Sequence, residues 1–215
     1  MKVASHHIPE HLLQAYVCGT LPHPFSVVVA AHVSLCDECR AYMEALEVLG
    51  GAVVDRLEPA TVSQGLRERV LSQLDDFEPM PESPSRSRPD GIYPGPVMAA
   101  LGGNAPRWRP LGGGIRQQVL DKSPEGSLRL LYIPPGMAVP EHGHSGLEMT
   151  LVLQGSFHDG RNCYQVGDVE VEDDDGCDHK PQAGPGDPCI CLAATDSPLR
   201  FTGMLPRLIQ PLLGI

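Results

Sequence analysis

Aromatic residues and positive charges are both scarce in this 215-residue sequence. Phe, Trp and Tyr make up 5% of it, so a hydrophobic core must be built mainly from Leu, Val and Ile. Lys and Arg number 16 against 27 Asp and Glu, which gives a formal net charge of −11. Because a phosphate backbone would be repelled unless the few cations were tightly clustered, direct nucleic-acid binding is disfavoured. A basic protein partner suits this charge better.

Long apolar stretches are missing as well. No run approaches the ~18 apolar residues that a membrane helix needs, and the opening MKVASHHIPEH has no apolar segment of the secretory kind. The seven cysteines form an odd set without the regular spacing of a disulfide framework. We therefore expect a protein of the reducing cytoplasm that has no membrane partner.

Proline is concentrated in one region and divides the chain. Seven prolines, interleaved with Ser, Gly and charged residues, fall between positions 79 and 106. This composition is typical of a partly extended linker. We predict an α + β protein of two domains, with a helical unit over 1–78, a linker over 79–106 and an all-β unit over 107–215.

Apolar periodicity predicts four helices in the first unit, over 9–19, 25–33, 37–49 and 63–77. The pair Gly50-Gly51 is expected to end the third helix. The fourth helix has an apolar stripe made of Leu66, Val70, Leu71 and Leu74. Spacing alone leaves open whether this stripe packs into the unit's own core or contacts a partner protein.

One histidine and two cysteines stand at H-x3-C-x2-C spacing where the second and third helices meet. If His32 and Cys36 lie one helical turn apart and Cys39 opens the next helix, their side chains can converge on one point. Zn²⁺ accepts imidazole and thiolate ligands of this kind in tetrahedral geometry. Ordinary thiols and a surface histidine are the alternative, which the helical spacing of the histidine disfavours. A fourth ligand is available upstream from His6, His7 or His11.

This arrangement, with an N-terminal histidine before the first helix, resembles the zinc-binding anti-sigma domain. That small helical fold sequesters bacterial sigma factors of the extracytoplasmic-function type. The resemblance implies that His7 is the fourth zinc ligand, because the family's histidine stands directly before the first helix. It also implies that helices one to four together form the surface that binds the sigma factor.

After Pro106 the sequence is organised in short segments separated by Gly, Pro and Asp. Such even spacing is typical of a β-sandwich or barrel. The predicted strands cover 107–111, 115–120, 127–133, 148–154, 155–159, 162–166, 168–172, 188–193 and 199–204. The glycines at 112–114 are expected to form the turn of a hairpin.

The most specific pattern of the β unit is Gly136-x5-His142-x-His144-x3-Glu148-x6-Gly155. His142 and His144 alternate on an extended segment, so their rings point the same way. Glu148 opens the next predicted strand, where its carboxylate could meet them. The spacing matches the first motif of cupins, and the β unit therefore resembles a cupin barrel or jelly roll.

A partial second cupin motif follows, with Gly-Asp at 167–168 and then Gly176-x2-His179. The resemblance implies that His179 is the fourth ligand of a metal site with His142, His144 and Glu148. Asp174 replaces the family's usual Pro and Ala183 its usual Asn, departures that concern the shape of the loop. Three His and one carboxylate bind Zn²⁺, Mn²⁺, Fe²⁺, Ni²⁺ or Cu²⁺, so the ligands leave the ion open.

A pair of cysteines alternates on one of the later predicted strands. Cys189 and Cys191 stand two residues apart, so both thiols face the same side. They are either small buried hydrophobes of the core, the more common role, or thiols that face the metal cavity.

Taken together, the two motif sets resemble the ChrR family of anti-sigma factors, in which a zinc-binding anti-sigma domain is fused to a cupin. The resemblance covers nearly the whole chain. It implies a protein that is not an enzyme and that holds a sigma factor inactive, while its metal-binding cupin senses oxidative stress and triggers release. The alternative is a metal-dependent cupin enzyme, dioxygenase-like, with a helical accessory domain.

Overall fold

The structure, a computed structural model, describes residues 4–75, 91–143, 146–173, 180–197 and 200–201. In these residues the helices are α1 (Glu10–Val17), α2 (His23–Val33), α3 (Asp37–Val54), α4 (Leu66–Asp75) and α5 (Gly95–Ala100). The strands are β1 (Arg109–Gly112), β2 (Ile115–Ser123), β3 (Gly126–Ile133), β4 (His142–Gly143), β5 (Glu148–Gln154), β6 (Ser156–His158), β7 (Cys163–Gln165), β8 (Val169–Glu172), β9 (Gln182–Ala183), β10 (Cys189–Thr195) and β11 (Arg200–Phe201). Helices thus precede an antiparallel β unit, which confirms the predicted α + β class.

The strands form one large and two small antiparallel sheets. The large sheet has the order β1-β2-β3-β10-β5-β8, and the small sheets have the orders β7-β6-β9 and β11-β4. The hairpin predicted at the glycines 112–114 joins β1 to β2. Central strands of the large sheet are buried on both faces, and for that reason they read as nearly continuous apolar runs in the sequence.

The two faces of the large sheet belong to different hydrophobic clusters. On β5, Met149 and Leu151 join the cluster that contains the helices, whereas Val152 belongs to the cluster inside the barrel. On β10 the same alternation separates Leu192 from Cys191. The period of two along each strand therefore places the helices outside the barrel wall and a second, smaller core within it.

Helix α2 joins the helical part of the chain to the sheet. Its run Val27-Val28-Val29 would suit a strand, but Pro22 as N-cap and Pro24 in the first turn favour a helical start. Phe25, Val28 and Val29 are fully buried. They share one cluster with the outer face of the large sheet, so the helices and the sheet have a continuous core.

Helix α3 differs from the prediction at its C-terminal end. It continues through Gly50 and Gly51 to Val54, and the expected stop at residue 49 is wrong. Neither glycine takes the positive φ of a helix-terminating residue. A glycine inside a helix costs about 1 kcal/mol, which weakens a helix without ending it. Leu49, at the predicted end of the helix, is 63% exposed.

Further differences are small and local. Helix α5 lies in the region predicted to be a linker, and its Val97 is completely buried beside α2. The short strands β4 and β9 were not predicted, since two residues give no periodicity to detect. In the part of the chain that the structure describes, no helix combines the length and apolar character needed to cross a membrane.

Candidate metal centre

Four predicted ligands come together where α1, α2 and α3 begin or end. His7 lies just before α1, His32 in the last turn of α2, Cys36 at the N-cap of α3 and Cys39 in its first turn. The link between α2 and α3 is tight, because the N–H of Cys36 donates to the carbonyl of His32 at 2.8 Å. This short connection places one imidazole and two thiols side by side.

The distances suit a tetrahedral ion. The Sγ atoms of Cys36 and Cys39 lie 3.3 Å and 3.6 Å from Nδ1 of His7. One donor atom from each of the four residues lies within 4.8 Å of all the others. In a tetrahedral zinc site with bonds of 2.0 to 2.3 Å, ligand atoms stand about 3.3 to 3.8 Å apart. The cluster thus has the size and the donor chemistry of a structural zinc site.

His32 is held in the protonation state that a metal ligand needs. Its Nδ1 makes a buried hydrogen bond of 2.9 Å with the carbonyl of Gly167, and a carbonyl can only accept, so Nδ1 carries the proton. No described residue hydrogen-bonds to its buried Nε2. Burial lowers the pKa of His32 to about 4, so the ring is neutral and Nε2 has a free electron pair. A buried nitrogen with no hydrogen-bond partner is the observation that fits a metal best.

His7 uses its nitrogens the other way round. Nδ1 faces the two thiols, while Nε2 lies 3.4 Å from the carboxylate of Glu38, an exposed residue in the first turn of α3. A carboxylate on the far nitrogen orients the ring and makes the near nitrogen a better ligand. Sequence reasoning missed Glu38, although it stands between the two cysteines.

The thiol of Cys39 requires a nearby cation to ionise at neutral pH. Burial raises the pKa of Cys39 to about 11, and the neighbouring Cys36 acts in the same direction, partly offset by a backbone hydrogen bond from Ile8. Without an ion the thiol of Cys39 is therefore protonated at neutral pH. Zn²⁺ binding would release that proton, which couples the affinity of the site to pH.

Only part of the predicted cupin site can be placed. His142, on β4, is buried, and its Nδ1 hydrogen-bonds to the carbonyl of Pro140 at 2.8 Å. Glu148 begins β5, and one of its oxygens accepts the hydroxyl of Thr150 at 3.0 Å. His144 and His179 lie outside the described residues, so the four-ligand cupin site stays a prediction.

A second cluster of possible metal ligands, all of them acidic, was not predicted from the sequence. Carboxylate oxygens of Asp159, Glu170 and Glu172 lie within 4.8 Å of one another. Burial raises the pKa of Glu170 to about 9, with Glu148, Glu172 and Asp159 adding to the shift, so this carboxyl is neutral at pH 7. The two-residue spacing on β8 puts Glu170 and Glu172 on one face, a signal that could have indicated the cluster.

The cysteine pair of β10 lies in the barrel core. Cys189 and Cys191 are almost fully buried and pack in the same cluster as Val152 and Phe157. The adjacent Cys189 and burial raise the pKa of Cys191, and the charge of Glu148 adds to the shift. The thiols therefore lie in the hydrophobic core of the barrel. They are on the same side of the barrel wall as Glu148, a predicted cupin ligand.

Comparison with known proteins matches both halves of the chain. Residues 99–197 match the family model described as the ChrR cupin-like domain. The anti-sigma-E factor ChrR of Cereibacter sphaeroides is 48% identical over 212 residues, covering 98% of each chain. A crystal structure of Rhodobacter sphaeroides SigE in complex with the anti-sigma ChrR aligns with a TM-score of 0.79 and 45% identity, covering 90% of this chain and all of that one.

Proposed function

This chain belongs to the ChrR family of anti-sigma factors, and from that membership we propose that it binds a sigma factor of the extracytoplasmic-function type and holds it inactive. It is a regulatory protein, and the alternative of a cupin dioxygenase is set aside because the relative of known role is an anti-sigma factor. The partner is a protein, consistent with the net charge of −11, which disfavours direct contact with nucleic acid.

The observation that carries the proposal is a set of exposed apolar side chains on α3, on α4 and on the segment between them. We call it the 48–74 surface. Its large apolar side chains are between 36% and 74% exposed and comprise Val48, Leu49, Val53, Val54, Leu57, Val62, Leu66, Val70, Leu71 and Leu74. Leu66 and the other members on α4 form the stripe whose role the sequence left open, and none of them is buried in the core. Single exposed apolar residues are ordinary, but ten within 27 residues of sequence indicate a binding surface.

The helical geometry of this surface suits recognition of a protein. Leu49 and Val53 lie one turn apart on α3, and Val70 and Leu74 lie one turn apart on α4. Helices with an unpartnered apolar face bind by laying that face into a groove of the partner. Binding of the 48–74 surface in a groove of the sigma factor would block the contacts that the factor needs for RNA polymerase.

Zinc is the ion we assign to the cluster of His7, His32, Cys36 and Cys39. The donor set, its spacing and the partnerless Nε2 of His32 support this assignment. Bound there, the ion would tie the segment before α1 to the junction of α2 and α3. It would thereby hold α3, which carries four of the ten apolar residues of the 48–74 surface, in a fixed orientation.

The β unit is proposed to act as the sensor. A divalent transition metal, zinc or another ion, would be held by His142, His144, Glu148 and His179, and oxidative stress would alter this unit and release the sigma factor. The division into a helical unit over 1–78, a linker over 79–106 and a cupin unit over 107–215 belongs to the same proposal. So does a cytoplasmic location, where a sigma factor and its polymerase are found.

Direct inhibition of transcription tests the function. The tagged full chain is isolated from its own cells, and the sigma factor bound to it is identified by mass spectrometry and purified. Run-off transcription with that sigma factor and core polymerase should fall to background at one equivalent of the zinc-loaded chain. Transcription that continues unchanged at excess chain would contradict the proposal.

A further inference from the structure

A short N-terminal segment connects the candidate metal centre to the barrel. Residues 4–8, called here the N-terminal arm, include His7 and run along residues 165–169, called here the β7–β8 turn. The carboxylate of Asp168 accepts the backbone N–H groups of Ser5 at 2.6 Å and of His6 at 3.0 Å. In return, the N–H of Val169 donates to the carbonyl of His6 at 3.3 Å. The arm therefore both donates hydrogen bonds to the turn and accepts one from it, and His6, which does both, is next to the predicted metal ligand His7.

The same turn also holds a second donor of the cluster. The carbonyl of Gly167 accepts Nδ1–H of His32 at 2.9 Å. Gly167 has a φ of +94°, and a Cβ added to it would lie 3.6 Å from the side chain of Ala4 in the arm. Two adjacent residues of the β unit therefore set the positions of both imidazoles, Gly167 directly for His32 and Asp168 through His6 for His7.

Beside this turn, the arm also contacts the core of the barrel. The second oxygen of Asp168 accepts the N–H of Gln165 at 2.8 Å, which closes the turn. The ring of His6 lies 4.5 Å from that of Tyr164, which in turn stacks on Phe157 at 4.8 Å. Tyr164 and Phe157 belong to the cluster of the barrel core. A change in that core therefore reaches the arm through rings in direct contact.

We infer that the β7–β8 turn couples the metal centre to the barrel wall, and that Asp168 acts as a positioning residue for the metal centre. The affinity for an ion at residues 7, 32, 36 and 39 and the order of the barrel wall then depend on each other. The inference rests on the proposed zinc site. It provides a physical route by which an event in the β unit loosens the helical unit. Because such coupling is reciprocal, the ion must also stabilise the turn.

Replacing Asp168 by Asn changes little in shape and much in bonding. The carboxylate accepts N–H groups with both oxygens, from the arm with one and from Gln165 with the other. An amide has a single accepting oxygen, so its NH2 group must face an N–H donor on one of the two sides. The arm or the turn then loses its anchor, and His7 loses its fixed position.

Zinc affinity in the full chain measures the first direction of the coupling. Wild type, Asp168→Asn and a matched control, Asp187→Asn, are loaded with one zinc at this centre and titrated with a chromogenic chelator. Asp187 is exposed, in the turn before β10. Replacing a residue behind a metal ligand typically weakens metal binding about 10- to 100-fold. We expect a loss of that size for Asp168→Asn and wild-type affinity for Asp187→Asn, whereas equal affinity in all three would overturn the inference.

Hydrogen exchange in the wild-type chain measures the reverse direction and needs no variant. Removal of zinc should speed exchange at the amides of Gln165 and Val169, with the β2–β3 ladder as an unchanged internal reference. Protection of the turn that is the same with and without zinc would overturn the coupling, even if Asp168→Asn failed to fold. If the wild type bound no zinc at the cluster, the proposed site would fail as well. Normal zinc binding without either effect would refute the coupling alone.

Discussion

The Nδ1–H of His32 in α2 donates to the carbonyl of Gly167, 135 residues further along the chain, at 2.9 Å. This buried bond fixes the tautomer of the ring and leaves Nε2 available to the cluster formed with His7 and the two thiols. A ligand of the helical unit is thus oriented by the backbone of the β unit.

Loss of a thiolate should remove the ion and destabilise the helices. The buried Cys36→Ser variant should lose one zinc per chain, because a serine hydroxyl is a poor ligand for this ion. Structural zinc sites contribute on the order of 10 kcal/mol at neutral pH, so the variant should unfold at a markedly lower temperature. Metal analysis and thermal unfolding measure both effects. Exposed Cys18→Ser is the control, and equal zinc content in the two variants would contradict the site.

Three nearby histidines should behave differently when replaced by alanine. His7→Ala should lose the zinc, because His7 alone of the three has a ring nitrogen beside the thiols. His6→Ala should keep the ion with reduced affinity, since its ring contacts Tyr164 and Asp168 instead. Exposed His11→Ala should match the wild type. Zinc titration ranks them, and a zinc loss in His6→Ala as complete as that in His7→Ala would refute the assignment.

A charge on the 48–74 surface should impair binding of the sigma factor without unfolding the chain. Leu49 is 63% exposed, so Leu49→Asp costs little in the free protein but buries a carboxylate in the complex. Central apolar contacts of an interface are each worth about 2 kcal/mol or more, which corresponds to at least about 30-fold in Kd. Calorimetric titration measures the change. Val119→Asp, on β2 and also exposed, should bind like the wild type. Equal loss in both variants would place the interface elsewhere.

The buried carboxyl of Glu170 should make stability depend on pH in chelator-treated protein. Its folded-state pKa of about 9 lies above the ordinary 4.5, so the folded chain binds this proton more tightly than the unfolded chain. The resulting stability is fully present below about pH 4.5 and is lost as pH rises towards 9. Glu170→Gln, which stays neutral, should lack this component, worth about 3 kcal/mol between about pH 5.5 and about pH 8. Urea unfolding measures it, and exposed Glu125→Gln should keep the wild-type slope.

Thiol reagents should distinguish the cysteines of the core from those of the surface. Cys18 and Cys163 are exposed, whereas Cys189 and Cys191 are buried, and the hydrogen bond with Cys189 together with burial raises the pKa of Cys191. Because the thiolate is the reactive form, the exposed pair should be alkylated at neutral pH while the core pair reacts only after unfolding. Peptide mass spectrometry follows each site. Fast labelling of Cys191 in the native chain would place it in an open cavity instead.

Local spacing in the sequence determined much of this protein. The helical interval between His32 and Cys36, and the step from there to Cys39, predicted three donors that the structure brings together. Alternation and turn residues predicted most of the strands, and composition predicted the two kinds of unit. These features are encoded within a few residues of one another, where the periods of helix and strand decide which side chains share a face.

The tertiary structure decided what depends on distant parts of the chain. The contact of Asp168 with the arm spans 162 and 163 residues, and no period in the sequence reports such a pairing. Helix α3 continues past Gly50 and Gly51, neither of which takes a positive φ, so a local signal for a stop was overruled. The raised pKa of Glu170 arises from burial, with carboxylates of its own strand, of another strand and of a loop adding to the shift. The period of a helix or strand is enough to predict which side chains share a face. Which residues that face contacts is decided only when distant parts of the chain come together in the core.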